Sequence, residues 1–202
     1  MIPRPDIERV LAELDRLAQY SETPPPGVTR VLFTPPDVQA KTYLAGLCQD
    51  AGLQLRTDAV GNIFATWRPP GAEGTPVATG SHIDAIPHSG RYDGTVGVLG
   101  GLEAIRMLIR SGYTPRRPLE LICFTAEEPT RFGVGCIGSR ALSQAIHPDE
   151  LGKLRDSSGR CFDDVRREAG LAGPLDEVPL SPGAYRAFVE LHIEQGPLLE
   201  RE

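Results

Sequence analysis

The sequence predicts an α/β sandwich, and three observations carry that expectation. Short apolar segments alternate with stretches of helical periodicity along the chain. One of them, LELICFT (Leu119–Thr125), is apolar almost throughout, as in strands covered by helices on both faces. At 202 residues, with 40% hydrophobic and 24% charged side chains, the chain is long enough to bury a sizeable core.

The elements follow in order. Ile7, Val10, Leu11, Leu14, Leu17 and Ala18 recur at helical spacing, so an amphipathic helix is expected from Asp6 to Gln19. Ser21 to Pro36 is rich in Pro and Thr and reads as a loop. Asp37 can cap a second helix running to about Asp50, burying Leu44, Leu47 and Cys48, with Gly52 placed to end it. Two short strands, Leu53–Thr57 and Ile63–Trp67, are joined by the turn-forming DAVGN. Val77–Ser81 is a compact strand ending at His82, and a Gly-rich segment leads into a helix from about Thr95 to Arg110. After the Leu119–Thr125 strand, Pro148 to Ala184 is polar, with a short helix expected over Phe162–Ala169. Ala187–Ile193 (AFVELHI) reads as a last strand.

Bulk properties exclude several roles. A net charge of -6 and a pI near 5.3 argue against nucleic acid as the main partner, because a phosphate backbone needs clustered Lys and Arg. No apolar run approaches the roughly 20 residues needed to span a bilayer, and MIPRPDIERV lacks the apolar core of a secretory signal. The four cysteines stand far apart without a C-x-x-C pair, which disfavours structural zinc and fits reduced thiols in a cytoplasmic protein, with Cys123 in the core. H-E-x-x-H, G-x-S-x-G and Walker patterns do not occur.

Three segments concentrate acids and histidines, each at or just beyond a predicted strand end, where open α/β sheets bind ligands. In GSHIDAIPHSGRYDG, His82 is a candidate imidazole ligand. Asp84, two residues on, returns to the same face and can fix the ring tautomer. Asp93 opens a Gly-flanked turn, and its two oxygens could bridge two ions. His88 is expected to face solvent. In FTAEEPTRFG, two adjacent glutamates point in different directions, so one can ligate a metal while the other faces substrate. A base beside a metal whose bound water has a pKa near about 7 suits metal-assisted hydrolysis. In VELHIEQGP, alternation puts Glu190 and Glu194 on the face of His192. A lone His in an apolar strand is more often a core residue, but the first two segments make His192 a ligand candidate. Nitrogen and oxygen donors without thiolate suit Zn, Mn or Co.

GSHIDAIPHSGRYDG, VGVLGGLEAI, TAEEPTRFGVGCIGSRAL and ELHIEQGPLLE, in that order, resemble the allantoate amidohydrolase / N-carbamoyl-L-amino-acid hydrolase / ureidoglycolate amidohydrolase family, within the clan of co-catalytic metallo-aminoacylases and exopeptidases. Pro129 after the glutamates resembles the ureidoglycolate amidohydrolase branch, since carbamoylases more often carry Gly and Ser there. The resemblance implies His82 and His192 on one metal, Asp93 bridging both, and Glu128 on the second. It implies Glu127 as general base, Asp84 orienting His82, and Gln195 near the substrate. It further implies two divalent ions per subunit (Zn or Mn, with Co possible) and a three-layer sandwich with a mixed sheet. The expected substrate is a small ureido or amide carboxylate, hydrolysed in the cytoplasm by a homodimer built through a lid domain. A metallo-aminoacylase or peptidase of the same clan, or an inactive truncated fragment, are the alternatives. The family pattern continues well beyond Glu202. Residues 1–202 are therefore expected to be the N-terminal part of the catalytic domain, truncated before the lid and dimerisation domain. The second ion would be under-ligated, and turnover by this chain alone weak or absent.

Overall fold

The computed structural model describes residues 3–201. Asp6 opens α1 (Ile7–Ala18) by accepting the Arg9 backbone N–H at 3.1 Å, and the expected stripe turns Leu14 and Leu17 into the core. The second helix, α2 (Pro35–Asp50), starts earlier than anticipated, with Thr34 as its N-cap. Pro35 and Pro36 cost nothing there, because the first helical N–H groups have no partner to lose. Asp37 lies buried inside the first turn, where its carboxylate accepts the Phe33 N–H at 2.8 Å and the Lys41 ammonium at 3.0 Å.

Five strands form the main sheet: β2 (Gln54–Thr57), β3 (Ile63–Trp67), β4 (Val77–His82), β6 (Leu119–Phe124) and β7 (Ala187–Val189), in the order β2-β3-β6-β4-β7. β2 and β3 are antiparallel, as are β3 and β6; β4 runs parallel to both β6 and β7. The sheet is therefore mixed. Helices α1, α2 and α3 (Thr95–Arg110) bury Leu17, Leu44, Val98 and Leu102 against Leu121 and Cys123 on one face. On the other, α4 (Ile137–Leu142) and α6 (Phe162–Glu168) pack Ile137, Phe162 and Val165 against Phe64 and Ile122. The alternation of Leu121, Ile122 and Cys123 between two apolar layers is why β6 reads as a continuous hydrophobic run. Each such fully buried aliphatic side chain contributes about 1.5–3 kcal/mol.

The segment expected to be a loop, Ser21–Pro36, contains β1 (Val28–Arg30), which pairs antiparallel with β5 (Ala85–Ser89) in a separate two-stranded sheet. Arg30 explains why so polar a stretch is ordered. Its side chain is buried and donates to the carbonyls of Tyr20 (2.9 Å), Leu17 (2.6 Å) and Ile83. Burial lowers its pKa to about 10, so it stays charged at neutral pH. Arg30 thus ties the end of α1 to the residue between His82 and Asp84. Arg30→Ala is expected to lower stability by about 3 kcal/mol or more, because three carbonyls, two of them in fully buried contacts, lose their donor together. Urea unfolding measures this; a loss below about 1 kcal/mol would mean that the three carbonyls find other partners.

Two further expectations need correction. The last strand ends at Val189 instead of Ile193, and residues 187–189 are exposed along an edge that pairs only with β4 among the described residues. His192 therefore lies past a strand end, and strand alternation with Glu190 and Glu194 does not orient it. Pro148–Ala184 also holds more structure than the one expected helix, with α5 (Pro148–Leu151) and a 3-10 turn at Leu175–Glu177.

Candidate metal centre

Parallel pairing of β4 with β6 sets His82 beside Phe124, so the segments leaving both strands emerge side by side. His82, Asp84 and Asp93 are all buried. His82 directs Nδ1 to the Asp84 backbone carbonyl at 3.1 Å, which leaves Nε2 pointing the other way. That nitrogen is 3.8 Å from Asp93 Oδ1 and 3.5 Å from Glu127 Oε2. From the other side His192 places its own Nε2 3.6 Å from the same Asp93 oxygen, and the two rings stack with centroids 5.9 Å apart.

His192 arrives there by a close backbone crossing. The Leu191 carbonyl passes over the first turn of α3 at Gly97, where a Cβ would sit only 2.3 Å from it. Asp93 precedes the same helix. Both ends of the site are thus fixed to the start of α3.

The donor set fits a divalent cation. Ligand atoms of His82, Asp93 and His192 all lie within 4.8 Å of one another. Two donors each about 2.0–2.2 Å from one ion are separated by roughly 3–4 Å, which matches both imidazole–Asp93 distances. The electrostatics point the same way. Burial alone would lower the His82 pKa, but the Asp84 and Glu127 carboxylates overcome it and raise the value to about 9. Glu128 is pushed up to about 7 by burial and by repulsion from Asp93 and Glu127. Both shifts are those of a cluster with surplus negative charge that a cation would relieve.

Not every sequence-predicted residue sits as anticipated. Glu128 is near enough to Asp93 to feel its charge yet stands outside the tight three-residue cluster. Gln195, in a left-handed conformation at φ 57, donates its side-chain amide to Asp93 Oδ2. His88 is exposed. The Asp84 carboxylate is 3.6 Å from the His82 ring and is taken up instead by the backbone N–H groups of Glu127 (3.2 Å) and Glu128 (2.9 Å). The His82 tautomer is set by the Asp84 carbonyl, and the carboxylate fastens one strand end to the other. Asp84→Ala is expected to weaken divalent-metal affinity about 10- to 100-fold, the usual cost of removing a group that supports ligands. Titration calorimetry tests this, and an unchanged affinity would sink the assignment.

Sequence reasoning missed Asn62. It is buried, accepts the Thr125 N–H at 2.8 Å, and donates to Asp58 (2.7 Å) and to the Gly138 carbonyl (3.3 Å). It locks the end of β6 to α4 just beneath the two glutamates. Within DAVGN it looked like one more turn former, and only its later burial distinguishes it.

The chain is 51% identical over 201 residues to the ureidoglycolate hydrolase of Oryza sativa subsp. japonica, an alignment covering 98% of this chain and 42% of that protein. It is 39% identical to the N-carbamoyl-L-amino-acid amidohydrolase of Paenarthrobacter aurescens, covering 96% of this chain and 47% of the other. The crystal structure of AtUAH in complex with (S)-hydroxyglycine superposes with a TM-score of 0.92 at 47% identity, covering 98% of this chain and 48% of that one. The chain therefore spans a little under half the length of the relatives it matches. The model described as peptidase family M20/M25/M40 matches residues 78–202, from β4 through every residue of the candidate centre. The chain belongs to peptidase family M20/M25/M40.

Proposed function

We propose that these residues form the N-terminal portion of the catalytic domain of a metal-dependent amidohydrolase that cleaves a linear ureido or amide C–N bond of a small carboxylate. The observation carrying this is the convergence of His82, Asp93 and His192 on one point, with the Glu127 carboxylate 3.5 Å from the His82 nitrogen. Divalent ions held there supply Lewis-acid polarisation of a carbonyl and bring the pKa of water towards neutrality. His82, Asp93 and His192 would hold one ion; Glu128, beside Asp93 but outside the cluster, would serve a second one shared through Asp93. Glu127 acts as general base and then general acid. It takes a proton from the attacking water as the C–O bond forms, and returns it to the leaving nitrogen as the C–N bond breaks. Its side chain is 40% exposed, which leaves it accessible to substrate. Gln195 lies at the same centre and would contact substrate. A homodimer built through a lid domain, Zn or Mn as the ion, and a cytoplasmic setting belong to the same reading; among the described residues, no helix is long and apolar enough to cross a membrane.

Ureidoglycolate is the favoured substrate, because both a rice ureidoglycolate hydrolase and AtUAH are about half identical to this chain. The test assays ureidoglycolate, allantoate, N-carbamoyl amino acids and dipeptides with a protein of the relatives' full length carrying this sequence. Ammonia release from ureidoglycolate at the highest kcat/KM is expected. Turnover confined to dipeptides would replace this reading with a peptidase.

A further inference from the structure

We propose that Cys136 is a positioning residue for Glu127, its thiol holding one carboxylate oxygen so that the other faces the metal cluster; this rests on the reading of Glu127 as the base. The backbone sets up the pairing. The N–H groups of Cys136, Ile137 and Gly138 donate to the carbonyls of Glu127 (2.7 Å), Ala126 (2.9 Å) and Thr125 (2.8 Å). These are the first free N–H groups of α4, and meeting the three carbonyls in reverse order they place Cys136 opposite Glu127. Two residues of this contact, Ala126 (φ 48) and Cys136 (φ 56), adopt left-handed conformations that non-glycine residues rarely take. Such strain persists only where the surroundings enforce it, and it collects at functional sites.

The side chains complete the arrangement. Cys136 Sγ lies 3.5 Å from Glu127 Oε1, while Oε2 of the same carboxylate is 3.5 Å from His82 Nε2. The two oxygens are thus divided between a donor on one side and the cluster on the other. Burial, and then the charge of Glu127, raise the Cys136 pKa, which keeps the thiol protonated and able to donate at neutral pH. A thiol suits the task because it is a weak donor. A strong donor or a cation in its place would stabilise the carboxylate and weaken it as a base. The thiol fixes the rotamer.

The test has two arms. In the full-length protein, Cys136→Ala is expected to lower kcat about 3- to 10-fold, the rate equivalent of one net hydrogen bond, with KM and metal content unchanged. Cys136→Ser, which restores a donor, is expected to recover part of the loss. The second arm is independent of activity. The infrared difference between wild type and Cys136→Ala isolates the Cys136 S–H stretching band, and this band is expected to move to higher wavenumber in Glu127→Gln, where a neutral acceptor replaces the carboxylate. Unchanged kcat in Cys136→Ala, a loss that tracks metal content, or an S–H band indifferent to Glu127→Gln would each overturn the proposal. Wild-type turnover in Glu127→Gln would instead remove the base itself, an outcome the Cys136 variants do not mimic.

Discussion

Glu127→Gln is expected to bind divalent metal as tightly as the parent and to lose about 10²- to 10⁴-fold in kcat, the range typical of a general base. The substitution is nearly isosteric, so it leaves the packing around residue 127 in place. Its backbone N–H still reaches Asp84, and its carbonyl still accepts from Cys136. Only the ability to take a proton is lost. Glu127 is assigned the proton and not an ion, and the three clustered ligands His82, Asp93 and His192 remain, so metal content should not fall with activity. Single-turnover rates and metal analysis on the same preparation separate the two quantities. If turnover stayed at the parental rate, another group would be removing the proton; if metal were lost as well, Glu127 would be a ligand.

Much of the fold was legible because its core is strongly periodic. The helix expected from Thr95 to Arg110 is α3 residue for residue, and Ile63–Trp67 is β3 without adjustment. Both are apolar runs covered on more than one side, β3 with Ile63 and Ala65 in one apolar layer and Phe64 in the other, and such runs bounded by turn formers are what sequence reading detects. The β1–β5 pair was illegible for the opposite reason. Its order comes from Arg30 reaching three carbonyls, one in α1, one just past its end and one beyond β4, and such contacts leave no periodic trace. AFVELHI misled in another way. Its alternation is real, but a strand needs a partner, and after Val189 the chain leaves the ladder to cross Gly97.

The site was legible where chemistry restricts the residue type. His82, Asp93 and His192 do converge, although the strand-face argument used for His192 was not the reason they do. Roles that depend on direction were less accessible. Nothing in the sequence shows that Asp84 would spend its carboxylate on two backbone amides while its carbonyl takes the imidazole. Cys136 and Asn62 were invisible because each acts through a backbone approach, across 9 residues in one case and 63 or more in the other.

Gly94→Ala is expected to weaken divalent-metal binding by more than about 100-fold while lowering the melting temperature by about 2–12 °C. Gly94 caps α3 at φ 62, ψ -42, and a methyl group there would lie 2.4 Å from Cδ2 and Nε2 of His82. Two costs follow, and they differ in kind. The positive φ with a negative ψ, outside the left-handed helical well, penalises alanine by about 1–3 kcal/mol, which accounts for the change in melting temperature. The steric overlap is with the far end of a side chain, so the ring can turn away without disturbing the sheet. It cannot do so without carrying Nε2 away from Asp93, and the fold therefore survives while the ligand set does not. Gly90→Ala is the matched control: a Cβ there meets nothing within 4 Å, and metal affinity is expected to match the parent. Calorimetric titration of both variants decides the matter. Parental affinity in Gly94→Ala would mean that His82 Nε2 is not a ligand, because the ring and the methyl group cannot share that space.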